Sequence, residues 1–175
     1  MDTHTAPSRR RPVVPLYTPA ERARRDATRW TLVQGVLAPV QFLVFAVSLA
    51  LVLRTLTTGH GESAASISVL IKTAVLYMIM ITGSIWEKRV FDAWLFARPF
   101  FWEDVFSMLV LALHTAYLWA WMGGHLATRE LMLLALAAYA SYVINATQFL
   151  LKLRAARLQQ ADDARHPAPA AAVTP

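Results

Sequence analysis

Residues 82–117 read TGSIWEKRVFDAWLFARPFFWEDVFSMLVLALHTAY. Two apolar helical runs are joined here by a short loop, with Trp86-Glu87-Lys88 closing the first and Trp102-Glu103-Asp104 opening the second. Acids therefore gather where lipid should be close. Ionisable groups at membrane depth are costly enough to count as candidate functional sites, although the end of a span is a cheaper place for them than its middle.

The composition agrees with a membrane setting. The chain has 175 residues, 57% of them hydrophobic, and a mean hydropathy of +0.41, which is too apolar for an ordinary soluble domain and too short for two large ones. It has no cysteine, so disulfides and thiolate metal sites are excluded. The formal charge of +6 does not point to nucleic acid: the basic residues flank apolar runs, and no recognition module is visible.

Outward from the central hairpin, four apolar segments lie near residues 31–53, 64–86, 100–122 and 130–151. Each has about 22 residues, enough at ~1.5 Å per residue to cross a hydrocarbon core of ~30 Å. The short loops make neighbouring helices antiparallel. The expected fold is therefore an all-α integral membrane four-helix bundle. Ahead of it, Thr18-Pro19-Ala20-Glu21 forms a capping box opening an arginine-rich helix, ERARRDATRW. That helix is expected to lie amphipathically along the lipid surface, with Trp30 at the interface.

Three parts are expected: a disordered basic arm at 1–16, a single four-helix transmembrane domain at 17–158, and a disordered C-terminal tail at 159–175. The helical pattern nevertheless runs past residue 151 through KLRAARLQQADDAR before HPAPAAAVTP. No apolar core follows the first arginines, so a cleaved signal peptide is not expected. Of the 17 lysines and arginines, 14 fall in the N-terminal region, the middle loop and the C-terminal region. Both termini and the middle loop of this multi-pass membrane protein should thus be cytoplasmic.

At 100° per residue, Glu103, Ser107, Val110, His114, Tyr117 and Trp121 share a stripe about 80° wide on the third span. The fourth span aligns Ser141, Asn145, Gln148 and Lys152. The first offers Gln34, Gln41 and Ser48, and the second Thr73, Tyr77, Ser84 and Lys88 with Glu87 near their edge. Hydroxyls and amides often serve only as interhelical glue, at ~0.6 kcal/mol per contact. Acids in a first turn also favour the helix dipole. Two acids followed on one face by Ser107 and His114 go beyond either explanation. Lys72, deep in the second span, is expected to snorkel outward. The tryptophans fit an aromatic belt, with Trp102 among those that line a site for a flat ligand.

The segments YTPAERARRDATRWTLVQGVLAPVQFLVF, VLYMIMITGSIWEKRVF, FFWEDVFSMLVLALHTAYL and AAYASYVINATQFLLKLRAARL closely resemble the 2-vinyl bacteriochlorophyllide hydratase family (3-vinyl in current ring numbering). The resemblance covers about residues 17–158. It implies a lyase of bacteriochlorophyll biosynthesis, in a bacterial inner (cytoplasmic or intracytoplasmic) membrane, that hydrates the ring-A vinyl group of a Mg-chlorin to 1-hydroxyethyl. No cofactor is implied, and the Mg travels with the substrate. The implied partners are the bacteriochlorophyllide or chlorophyllide and membrane lipid. Homo-oligomers and contacts with other pigment-biosynthesis enzymes stay open.

Hydrating a ring-conjugated alkene needs an acid for the terminal carbon and a base that delivers water to the resulting cation. The catalytic candidates are Glu103 as proton donor and Asp104 or Glu87 as base. For binding, His114, or a water that it holds with Tyr117, is matched to the central Mg, and Lys88 or Arg89 to the propionate. Tyr142, Asn145 and Gln148 are matched to polar ring substituents. Two other classes compete: a non-enzymatic pigment-binding or assembly subunit, and a haem bundle, for which His114 alone supplies no bis-histidine site.

Overall fold

The computed structural model describes residues 16–165, apart from the side chains at 159, 160 and 162–164. Five helices run in order: α1 (Pro19–Ala27), α2 (Arg29–Thr58), α3 (Glu62–Phe91), α4 (Phe101–Gly123) and α5 (Thr128–Arg165), with a 3-10 turn at Arg98–Phe100 before α4. The last four are long and apolar enough to cross a membrane, and no strand occurs among the described residues. In lipid this is the expected outcome, because only intra-segment hydrogen bonding satisfies the backbone there.

One boundary is corrected. α5 continues to Arg165, so residues 159–165, assigned above to a disordered tail, are helical. QQADDAR contains no glycine or proline, and the first helix breaker beyond it is Pro167. The arm at 1–15 and the tail at 166–175 lie outside the described residues.

Interruptions between spans have local causes. Gly59 closes α2 at φ 70° and Gly124 closes α4 at φ 62°, left-handed positions that glycine takes without a Cβ clash. α1 carries the complete capping box: the Thr18 hydroxyl accepts from the Glu21 backbone N–H at 3.3 Å, and the Thr18 N–H donates to the Glu21 carboxylate at 2.7 Å. Arg24 Nε ties α1 to the end of α3 through the Val90 carbonyl at 2.7 Å, and buried Tyr17 stacks on Phe91. Thr18→Ala should destabilise α1 by about 1 kcal/mol. The measurement is faster amide exchange over residues 21–26, with the spans unchanged.

The spans pack as two close hairpins, α2 with α3 and α4 with α5, and among neighbouring spans α3 and α4 touch least. Gln34 donates to Thr82 at 2.7 Å and Trp86 Nε1 to Thr31 at 3.0 Å, joining α2 to α3. Ser48 meets both Ser68, at 2.7 Å, and Tyr139, at 2.5 Å, so one hydroxyl bridges three spans. Phe45, Val52, Val69, Met132 and Tyr139 belong to the central core. A smaller cluster of Tyr17, Val90 and Phe100, flanked by Trp86 and Phe149, closes the end nearest the α3–α4 loop. The opposite faces expose Leu32, Leu43, Ile81, Leu150 and similar residues, as lipid contact requires.

Candidate active site

The α3–α4 loop folds back over the bundle and brings its backbone to the acids. Asp92 and Phe96 take positive φ values of 63° and 60°. Asp tolerates that region, whereas Phe is strained there by roughly 1–3 kcal/mol. The turn aims two N–H groups inward: Phe96 donates to Asp104 Oδ2 at 2.7 Å and Ala97 to Glu87 Oε2 at 3.2 Å. Both acids are buried. Donation from two successive loop N–H groups holds the two carboxyl groups near each other across the α3–α4 seam.

Glu103 is buried as well, but it turns to α5 and forms an ion pair with Lys152 at 2.5 Å. The same ammonium donates to the Pro99 carbonyl. The acids thus separate into a facing pair, Glu87 and Asp104, and a third that has its own counter-ion. Deeper on the same side, Asn145 Nδ2 donates to Ser107 at 2.8 Å, while Asn145 Oδ1 and Gln148 Oε1 are buried without partners.

About 15 Å further along α4, at ~1.5 Å per residue from Asp104, lies His114. It is fully buried, and its Nδ1 is 2.8 Å from the Val110 carbonyl. A carbonyl only accepts, so Nδ1 carries the hydrogen and Nε2 keeps its lone pair in the neutral ring. Nε2 has no partner. Tyr117, also fully buried, points to Ser66 at 3.3 Å rather than back to the acids. The Tyr142 ring lies 3.9 Å beneath Lys72 Nζ.

Three binding candidates stay apart from this interior. Lys88 is neutralised by Asp92 at 2.6 Å; that hydrogen bond and charge hold the exposed Asp92 carboxyl below its usual range. Arg89 lines a shallow surface groove with Arg24, Arg29 and Trp30. Trp102 is 67% exposed and faces outward with the lipid-contacting residues.

The expectation that Lys72 snorkels is corrected: the residue is fully buried and points into the bundle. Ala65, Val69, Lys72 and Leu76 are all buried, so helical spacing alone places Lys72 on the inner face. Lys152 stood in the polar stripe of the fourth span but carried no role. Gln41, buried with both amide atoms unpartnered, was read only as glue.

Buried carboxyl groups at one end of a bundle of membrane-spanning length, with an unpartnered imidazole nitrogen in its centre, are the marks of a candidate intramembrane site for proton chemistry. Residues 17–155 match the family described as 2-vinyl bacteriochlorophyllide hydratase. A protein of that name from Rhodobacter capsulatus is 66% identical over 148 residues, spanning 85% of this chain and 86% of the relative. Another from Cereibacter sphaeroides is 66% identical over 153 residues, spanning 87% and 92%. The chain belongs to the 2-vinyl bacteriochlorophyllide hydratase family. No solved structure matches it.

Proposed function

We propose that this chain adds water to the vinyl group of a bacteriochlorophyllide, with the Glu87–Asp104 pair as its acid–base centre. The observation that carries this reading is the meeting of two buried carboxyl groups, one from each hairpin, under loop N–H donors. Two buried carboxyl groups held this near each other do not both ionise readily, so the pair keeps a proton to donate and, once that proton has left, serves as a base. Its proton goes to the terminal vinyl carbon. Water then adds to the ring-adjacent cation, and the proton lost from that water returns to the pair. The sum is one water added and an unchanged protein.

Glu103, paired with Lys152, orients the incoming water. The loop end faces the cytoplasm, since most basic residues flank it, and supplies that water. α1 lies along the same surface. The substrate enters through the weakly packed α3–α4 seam and lies along the inner face of α4. The free oxygens of Asn145 and Gln148 meet its polar substituents there.

Purified protein in lipid nanodiscs should convert a 3-vinyl pigment to a product heavier by one water. The red absorption band should shift to the blue as conjugation is lost, and heavy oxygen should be incorporated from labelled water. Pigment that binds and is recovered unchanged would reject the hydratase reading in favour of a carrier.

A further inference from the structure

Lys72 is fully buried in the middle of α3, and its Nζ has no hydrogen-bond partner. The Tyr142 ring at 3.9 Å offsets only part of the desolvation of an ammonium. Around this amine stand His114, close enough to interact electrostatically, and the Tyr139 ring, 5.9 Å from that of His114. Phe45 packs against both tyrosines, and Gln41, one turn from Phe45 on α2, leaves both amide atoms unpartnered. None of these groups is an acid. Glu103, already paired with Lys152, and the Glu87–Asp104 pair belong to the loop end of the bundle.

Three polar side chains from three spans are therefore buried with unused atoms, and the basic one has no counter-ion. An interior of this kind is completed by a ligand that carries the missing negative charge. We propose that Lys72 is the counter-ion for the carboxylate of an amphiphilic ligand held inside the bundle, and that this carboxylate is the propionate of the tetrapyrrole. The assignment of the tetrapyrrole rests on the function proposed above. A bacteriochlorophyllide has one free carboxylate, on the ring next to ring A. With the vinyl group at the acids, the macrocycle spans the interval along α4 and brings the propionate to the deep centre. The Gln41 amide is the second donor to it. Lys72 thereby selects the free acid over pigments already esterified at that position.

The test is equilibrium binding, which needs no turnover. Chlorophyllide a and its propionate methyl ester are titrated into protein in nanodiscs and followed by pigment fluorescence. Wild type should bind the free acid about tenfold or more tighter than the ester. Lys72→Met should abolish the difference by weakening the free acid alone, and Lys72→Arg should keep most of it. Ligand-free Lys72→Met should melt at a higher temperature than wild type, because an uncompensated buried amine is gone.

A Lys72→Met protein that still discriminates, or that melts lower without ligand, overturns the proposal. So does loss of discrimination in Lys88→Met or Arg89→Met but not in Lys72→Met. Palmitate displacing the pigment from wild type at comparable concentration would assign the site to membrane fatty acids and overturn the propionate assignment. If hydration fails while Lys72-dependent discrimination holds, the proposed reaction falls and the carboxylate site stands.

Discussion

Asp104→Asn should lower the hydration rate by about 10²–10⁴-fold, the usual contribution of a positioned acid or base, while pigment affinity stays near that of wild type. The substitution is nearly isosteric, and its side-chain oxygen can still accept from the Phe96 N–H that Asp104 now holds at 2.7 Å. Loop geometry is therefore preserved and only the exchangeable proton is lost. Glu87→Gln should behave alike, because Ala97 donates to Glu87 as Phe96 does to Asp104. Groups that act as a unit are non-additive in their losses, so the double variant should be scarcely slower than either single one. Single-turnover rates at saturating pigment measure this directly. A normal rate in Asp104→Asn would remove the pair from the chemistry, and multiplied losses in the double variant would show two independent roles.

Lys152→Met should destabilise the protein by about 3 kcal/mol, the low end for breaking a buried ion pair, since the Lys152 side chain is 27% exposed. The loss comes from stranding Glu103, which is buried and has Lys152 as its counter-ion. It also releases the Pro99 carbonyl just before α4. Adding Glu103→Gln should recover most of the stability, because a neutral amide does not need the ammonium. Thermal unfolding in one detergent, compared across the two single variants and the double, reads the coupling. If Lys152→Met melts like wild type, the pair is a surface contact and Glu103 is free to take another role.

The spans themselves were legible because lipid leaves a chain few choices. Apolar runs of about 22 residues bounded by polar loops become helices that cross the core, and the four spans cover the expected segments, with α2, α3 and α5 running on past their C-terminal ends. The inner faces were legible too. Glu103, Ser107, Val110, His114 and Tyr117, aligned by helical period alone, are all buried, although Trp121 at the end of the same stripe is 41% exposed. The strings that carry the family resemblance lie within the matched residues 17–155, except for the last few residues of the C-terminal one.

Pairing across helices was a different matter. A period of 3.6 residues gives the face on which a side chain stands, but not the rotation and crossing of the helix opposite. The period therefore puts Glu103 on the inner face but does not show that Lys152, 49 residues away, stands against it. The contact between Glu87 and Asp104 depends on the path of the loop, where Asp92 and Phe96 take left-handed backbone conformations that no composition rule announces. Lys72 read as a snorkelling residue because a lysine stem in lipid is free to reach outward; spacing with Ala65, Val69 and Leu76 gives its inner face, whereas its seat over the Tyr142 ring is a matter of packing between helices. The amino-acid sequence by itself determined the helices, their inward faces and the family. The tertiary structure decided which charges neutralise each other and which are left for a ligand, because electrostatic pairing falls off over a few ångströms and those distances are set by packing between helices rather than along them.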